Sequence, residues 1–305
     1  MKAMQIHRYG DASVIRQEDI PRPAPGRGEV LIQVAATSFN PSDIGLRRGL
    51  LRAIFPLDLP YTLGGEVAGT VVEVGDAVHT LAVGDRVIGR GGGAAAEYVT
   101  AAADTLVAAP TTIPLAHAAA IPIAGVTAWQ AVFEQARITP GQRVLVNGAG
   151  GGVGGFAVQL AKHAGAHVVA TASPRSTDAV RQFGADQIID YTTTPFADAL
   201  DEPVDAVLNL VVVSARQAAT LVQLVRPGGV VVSATVPVKA PTASPVTAAH
   251  FVARNDTSDL AALVRLVDAG VVRVDITASR PLTDLASVHR DAESGRTRGK
   301  IILVP

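Results

Sequence analysis

Two hydrophobic rhythms divide the chain. Up to about residue 110 the apolar positions come in short β-branched runs, which predict strands at Ala3–His7, Glu29–Ala36, Glu66–Val74, Arg86–Ile88 and Glu97–Val99. Turns such as Pro21-Arg22-Pro23-Ala24-Pro25-Gly26 separate them, so this part reads as a mostly antiparallel β-rich unit. From about Leu115 the texture becomes alanine-rich helix, then strands alternating with helices: Arg143–Val146, Val168–Thr171, Gln187–Ile189, Ala206–Leu210 and Val230–Ala234. That alternation predicts a doubly wound α/β domain. Leu260, Leu263, Val264, Leu266 and Val267 then mark one face of an amphipathic helix, and Lys300–Val304 reads as a last strand. This tail is too short for a core of its own and is expected to return to the first unit. The expected domains are 1–118, 119–255 and, for the return, 256–305.

The stretch Arg143–Arg175 concentrates the candidate chemistry. A short aliphatic strand, Val144–Val146, breaks into six glycines within eight residues (Gly148, Gly150, Gly151, Gly152, Gly154, Gly155). Apolar residues at helical spacing follow from Phe156, Gly165 ends the helix, and a second buried strand begins at His167. This is a βαβ unit of about 30 residues, the context in which a glycine fingerprint has meaning. Gly150, Gly152 and Gly155 fit G-x-G-x-x-G, and Ala149, Gly151 and Gly154 fit it with alanine in first place. Glycines here let bare backbone N–H groups approach a pyrophosphate at the helix N-terminus. A P-loop needs Gly-Lys-Ser/Thr opening the helix, and the next lysine is Lys162, well inside it. Ala149, Gly151, Gly152, Val153 and Gly154 are therefore expected to hold a dinucleotide.

The end of the second strand selects which one. An Asp or Glu about 20 residues beyond the fingerprint would hold the ribose 2′-hydroxyl of NAD. Here the place reads Thr171-Ala172-Ser173-Pro174-Arg175, with no carboxylate before Asp178. Ser173 and Arg175 suit a 2′-phosphate, which predicts NADP(H).

Composition narrows the partners. The 305 residues are 48% hydrophobic and 17% charged, which describes a well-buried globular chain long enough for two domains. A net charge of -1 without any Lys/Arg run offers nothing to nucleic acid or an anionic membrane. With no apolar signal-peptide core and no stretch of roughly 20 uncharged apolar residues, a cytoplasmic protein is expected. There is no cysteine, hence no disulfide, no thiolate nucleophile and no Cys-ligated zinc. The seven histidines show no metal-binding spacing; His163 and His167 are four apart, but Gly165 puts them on different elements.

Seven stretches, the glycine turn among them, carry a resemblance: Asn40-Pro41-Ser42-Asp43, Gly64-Gly65-Glu66-Val67-Ala68-Gly69, Gly84-Asp85-Arg86-Val87, Gly125-Val126-Thr127-Ala128-Trp129, Gly151-Gly152-Val153-Gly154, Phe183-Gly184-Ala185-Asp186 and the run from Glu293 to Lys300. Over essentially its whole length the chain resembles the medium-chain dehydrogenase/reductase superfamily, and within it the zinc-independent NADPH quinone oxidoreductases. The resemblance implies a GroES-like β-rich catalytic domain, a doubly wound Rossmann domain and a small-molecule substrate. It also implies a homodimer paired through Rossmann edges, and the strand around Val230–Ala234 with the Val-rich segment after it could supply such an edge. Zinc alcohol dehydrogenases of this fold use a cysteine near the position of Asn40, a histidine where this chain has Gly65, and a four-cysteine lobe after Gly-Asp-Arg-Val. None of these is present. Without a Lewis acid, alcohol oxidation loses its main transition-state stabilisation, whereas reduction of a conjugated carbonyl remains feasible.

By the same resemblance Asn40 and Thr127 lie near the nicotinamide and are the candidate catalytic residues. Tyr191 matches a position on the adenosine-phosphate side. Leu210 belongs to the loop after the fourth Rossmann strand, Ala234 and Val236 to a strand end bordering the nicotinamide, and Phe251 and Val252 to a segment closing over it. Two positions depart from the family pattern: Gly45 replaces a frequent tyrosine, and Asn209-Leu210-Val211-Val212-Val213 replaces a glycine-containing loop. The expected activity is NADPH-dependent, zinc-free reduction of quinones or other α,β-unsaturated carbonyl compounds. An enoyl reductase of polyketide or fatty-acid-like chemistry and a non-catalytic NADPH-binding protein are the alternatives.

Overall fold

The computed structural model describes residues 1–195 and 199–305. The chain forms two compact units: Met1–Ile123 with Asn255–Asp268 and Ile276–Pro305, and Ala124–Arg254 with Ala269–Asp275.

Unit 1 begins with β1 (Lys2–Ile6), β2 (Arg16–Asp19), β3 (Glu29–Ser38), helix α1 (Pro41–Arg47), β4 (Tyr61–Thr62), β5 (Glu66–Val74), β6 (Arg86–Arg90), β7 (Tyr98–Ala102) and β8 (Leu106–Ala108). The short helix α2 (Leu115–Ala118) follows, and helix α3 (Pro122–Trp129) begins in this unit and runs on into unit 2 from Ala124. β3 is the spine of this unit, pairing antiparallel with both β5 and β7. Val30 and Ile32 of β3, Val67 and Val71 of β5 and Val87 of β6 are fully buried, each worth roughly 1.5–3 kcal/mol relative to exposure.

Unit 2 contains a π-helical turn (Gln130–Gln135) and then β9 (Arg143–Asn147), α4 (Gly152–His163), β10 (His167–Ala172), α5 (Thr177–Gln182), β11 (Gln187–Asp190), β12 (Val204–Asn209), α6 (Ala215–Gln223), β13 (Val225–Ser233) and β14 (Thr247–His250). The six strands form one sheet in the order β11-β10-β9-β12-β13-β14, with every pair parallel. Val144, Leu145 and Val146 of β9 are all fully buried, as a strand covered on both faces must be. β9 pairs with β10 on one side and β12 on the other, so the chain reverses direction across the sheet at its C-terminal end. That reversal is the place where open α/β sheets bind ligands.

The remaining elements are α7 (Thr257–Asp268), β15 (Ile276–Pro281), α8 (Leu285–Glu293) and β16 (Lys300–Val304). On α7, Leu260, Leu263, Val264 and Val267 are buried, and the Asp268 carboxylate accepts from the N–H groups of Thr111 and Thr112 at 2.8 and 3.0 Å. β16 pairs parallel with β15 and antiparallel with β3, which makes it part of the unit 1 sheet.

Several strands carried no sequence signal. β2 is Arg-Gln-Glu-Asp, largely exposed, and exists because its backbone pairs with β1. β14, Thr-Ala-Ala-His, lacks the β-branched run that marks a strand. It corrects one expectation: the strand around Val230–Ala234 is not an edge, because β14 pairs along β13 from Thr247 to His250. Among the described residues β14 is the outermost strand on that side.

Candidate active site

The first cluster of candidate residues lies in unit 2, at the C-terminal ends of the parallel strands. Gly148 has φ +96°, a left-handed conformation that disfavours any side chain, and an added Cβ would sit 2.5 Å from Val211 Cγ1. At Gly154 an added Cβ would come within 2.1 Å of the Gly148 carbonyl oxygen, so only glycine lets α4 pack this closely against the turn. Gly151 caps α4 without a side-chain hydrogen bond. Helix geometry leaves the N–H groups of Gly152, Val153 and Gly154 without intrahelical acceptors. Ala149 is buried below them. This is a backbone cradle with a positive helix end, and it fits the pyrophosphate of a dinucleotide.

The turn after β10 packs against this cradle. Ser173 accepts from the N–H groups of Ser176 and Thr177 at 2.8 and 3.1 Å, and an added Cβ on Gly150 would meet Ser176 at 2.5 Å. Ser173 is half-buried, and Arg175 is exposed in the same turn. Tyr191 follows β11, half exposed, with its N–H donating to the Ala172 carbonyl at 3.2 Å. Ser173, Arg175 and Tyr191 thus gather at the ends of two neighbouring strands. Leu210 donates its N–H to Asn147, Ala234 to Asn209 and Phe251 to Ser233, at 3.0, 3.1 and 3.1 Å. The Val236 carbonyl accepts from Ser233 Oγ at 2.6 Å. Val252 is exposed, and the backbone of Arg254 beyond it exchanges hydrogen bonds with the Gln130 side chain. Thr127 lies half-buried on α3.

Beneath these residues runs a polar chain that sequence reasoning missed. Thr171 Oγ1 accepts from Gly148 N–H at 2.9 Å and donates to Asn147 Oδ1 at 3.1 Å. Asn147 Nδ2 donates to Asn209 Oδ1 at 2.9 Å, and Asn209 Nδ2 reaches Ser233 Oγ, Thr235 Oγ1 and the Val211 carbonyl. Thr171, Asn147, Asn209 and Ser233 are buried. Their signal was a polar residue at or next to the last position of each buried apolar strand.

The second cluster lies in unit 1 around Asn40, which is buried and precedes α1. Its N–H donates to Asp43 Oδ2 at 2.9 Å, and its Nδ2 donates to Glu66 Oε1 at 2.6 Å and to the Ser38 carbonyl at 3.4 Å. Lys300 Nζ donates to Asn40 Oδ1, Glu66 Oε1 and the Phe39 carbonyl, at 2.8, 3.1 and 3.3 Å. Ser38 Oγ also donates to Glu66 Oε1, while Glu66 Oε2 accepts the N–H of Ile123 at 2.7 Å. Glu66 and Lys300 fall within stretches that carry the family resemblance and border apolar strand sequence, but neither was singled out as a site residue. Burial, with the Glu66 charge adding to it, pushes Asp43 up to about 7 against the pull of the Asn40 N–H and of Lys300. Burial and the Asp43 charge raise Tyr61.

This donor set does not suit zinc. Asn40 offers an amide, Gly65 has no side chain, and both Glu66 oxygens are already engaged. Among the described residues no three His, Cys, Asp or Glu side chains group as metal ligands.

An antiparallel β-rich unit joined to a parallel sheet with a glycine turn at its switch point is the architecture of a two-unit dinucleotide-dependent dehydrogenase or reductase. Residues 26–111 match the model of the alcohol dehydrogenase GroES-like domain, and residues 183–303 that of a zinc-binding dehydrogenase. The chain is similar to the chloroplast envelope quinone oxidoreductase homolog of Arabidopsis thaliana, 34% identical over 100% of this chain and 98% of that one. It is 32% identical to the NADPH-dependent alkenal/one oxidoreductase of the same plant, over 100% and 80%. The solved Escherichia coli quinone oxidoreductase complexed with NADPH superposes with a TM-score of 0.90 at 25% identity, covering all of both chains. The chain belongs to the quinone oxidoreductase family of the medium-chain dehydrogenase/reductase superfamily.

Two buried groups in unit 1 give a pH signature. Burial, then the Arg47 charge, pulls His289 down to about 3 from its ordinary 6.5. The unfolded chain takes up that proton first, so the His289 share of stability, complete above about 6.5, is lost as pH falls toward 3. Asp43 has the opposite sign: at about 7 folded against an ordinary 3.8, its share is complete below 3.8 and is lost as pH rises through 7. Between roughly pH 4 and 6.5 the two slopes oppose each other. Asp43→Asn is expected to steepen the fall of Tm on acidification across this window, and His289→Gln to reverse it. Thermal unfolding at a series of pH values reads both, and profiles parallel to that of the unsubstituted protein would refute the assignment.

Proposed function

We propose that the protein is an NADPH-dependent reductase of quinones or other α,β-unsaturated carbonyl compounds that works without a metal ion. The observation that carries this reading is the glycine cradle of unit 2, with a carboxylate-free turn at Ser173–Arg175 packed on it. Relatives named as quinone and NADPH-dependent alkenal/one oxidoreductases support it. The N–H groups around Ala149, Gly151, Gly152, Val153 and Gly154 hold the pyrophosphate. Ser173 and Arg175 take the 2′-phosphate, with Tyr191 on the adenosine side. Thr127, Leu210, Ala234, Val236, Phe251 and Val252 border the nicotinamide ring. When bound, NADPH supplies the hydride. Asn40 orients the substrate through the Nδ2 proton that Ser38 holds only at 3.4 Å, donating it to the oxygen on which negative charge develops. No protein acid is assigned to the α-carbon, which takes its proton from solvent.

Zinc independence rests on the donor set around Glu66. The proposed homodimer rests on the family resemblance and on β14, the outermost strand on its side of the sheet among the described residues. The proposed location is the cytoplasm, the reading of the sequence, although relatives are named as chloroplastic.

Deuterium on the transferred face of NADPH should appear at the β-carbon of a reduced enone, with solvent deuterium at the α-carbon. Label on the carbonyl carbon of an aldehyde or ketone would make the protein a carbonyl reductase. NADPH binding without turnover of quinones, enones or enoyl thioesters would make it a binding protein. Arg175→Ala is expected to weaken NADPH by about 1–3 kcal/mol and barely affect NADH; equal losses in calorimetric titrations refute the 2′-phosphate role. Chelation should leave activity and Tm unchanged, and light scattering at micromolar concentration should give a dimer mass. Stoichiometric zinc or a monomer mass overturns the respective statement.

A further inference from the structure

We propose that Lys300 is a positioning residue: together with Glu66 it holds the Asn40 amide in a single orientation, so that one Nδ2 proton is presented to the substrate oxygen. The inference rests on the substrate role given to Asn40 above. It concerns how that role is made possible.

The ammonium of Lys300 has three protons, no acceptor capacity, and three partners: Asn40 Oδ1 at 2.8 Å, Glu66 Oε1 at 3.1 Å and the Phe39 carbonyl at 3.3 Å. A donor-only group can face only the oxygen of an amide. On the other end, Glu66 Oε1 accepts from Asn40 Nδ2 at 2.6 Å. Turning the amide over would set N–H against ammonium and oxygen against carboxylate, two repulsions among side chains that are all buried. The Asn40 orientation is therefore dictated by charge. With one Nδ2 proton committed to Glu66, the other faces the Ser38 carbonyl at 3.4 Å, a long contact that a substrate oxygen can displace.

The backbone is held as firmly as the side chain. Phe39 N–H donates to the Ile301 carbonyl at 3.0 Å, and Asn40 N–H to Asp43. β16 thus delivers both the cation and the strand contact that fix residues 39 and 40. Stability alone is a poor reason to keep this pair, since the Lys300 and Glu66 side chains are 4% and 0% exposed and apolar residues of similar volume often serve a core as well as a buried ion pair. What the pair adds is the orientation of a group that has two ends of nearly equal shape.

The test pairs Lys300→Met/Glu66→Gln, which removes both buried charges and so leaves neither uncompensated, with the same change in an Asn40→Ala background. In the native background kcat should fall on the order of 10–100-fold, with the KM for NADPH within about threefold. In the Asn40→Ala background the same change should alter kcat by less than about threefold, because its effect runs through Asn40. Lys300→Arg alone, which keeps the cation, should recover part of the rate. Equal losses in the two backgrounds, or an unchanged kcat in the folded double variant, overturn the proposal. The Asn40 side-chain amide in NMR gives a readout besides activity: two slowly exchanging, well-separated protons with Lys300 present, and faster exchange without it. If no quinone or enone is reduced but these signals respond as stated, the functional reading fails and the positioning stands. If turnover is present and the signals do not respond, the positioning fails alone.

Discussion

α4 runs tight against the turn that precedes it. A methyl group at Gly154 would come within 2.1 Å of the Gly148 carbonyl oxygen, and Gly148 itself has a φ of +96° with Val211 against it. The helix can start where it does only because these positions carry no Cβ. The direction of its first N–H groups follows from that start, and so does any anion site they make. Propensity opposes such a sequence, since glycine in a helix costs about 1 kcal/mol relative to alanine. α4 nevertheless includes Gly152, Gly154 and Gly155, and the burial of Phe156, Val158, Leu160 and Ala161 against the sheet offsets that loss.

Unit 1 is organised around charge. Glu66 begins β5 and Lys300 begins β16, and both side chains are buried with Asn40 and Ser38 between apolar strands. A carboxylate in such a place needs positive partners, and it has the ammonium of Lys300 and the N–H of Ile123 in the first turn of α3, where the helix dipole favours negative charge. Its cation is a side chain of the chain itself. Its two oxygens accept from four donors, Ser38, Asn40, Ile123 and Lys300, so the carboxylate is satisfied within the protein.

How much of this the amino-acid sequence disclosed depended on whether a feature lived in hydrophobic rhythm. The strands of the parallel sheet were legible because Val144–Val146, Val168–Ala170 and Val230–Val232 are continuous apolar runs, and the glycine turn because its spacing has a mechanical reason. β2 and β14 were not legible, since charged or alanine-rich segments become strands only through a neighbour's backbone. β14 in turn displaced the expected edge of the sheet. Asn40 was found by its motif, while Glu66 and Lys300, 234 positions apart, gave no hint that they meet. A pairing of that kind is a property of topology: β3 carries Ser38 at its end, and its pairing with β16 through Ile302 and Ser38 is what brings Lys300 to the spot.

The two clusters also divide the electrostatic work. Thr171, Asn147, Asn209 and Ser233, which tie four strand ends together under the cradle, are all uncharged and mutually hydrogen-bonded. A carboxylate in that chain would make hydrogen bonds of the same reach, yet it would set a buried negative charge directly below N–H groups shaped for phosphate, where the low dielectric makes repulsion costly. Two asparagines avoid this because each amide both accepts and donates, so the chain of bonds can run across the sheet without any group that titrates. Charge enters instead at Asn40, where the chain sets an ammonium against the amide oxygen and a carboxylate against the amide nitrogen, the two ions themselves hydrogen-bonded.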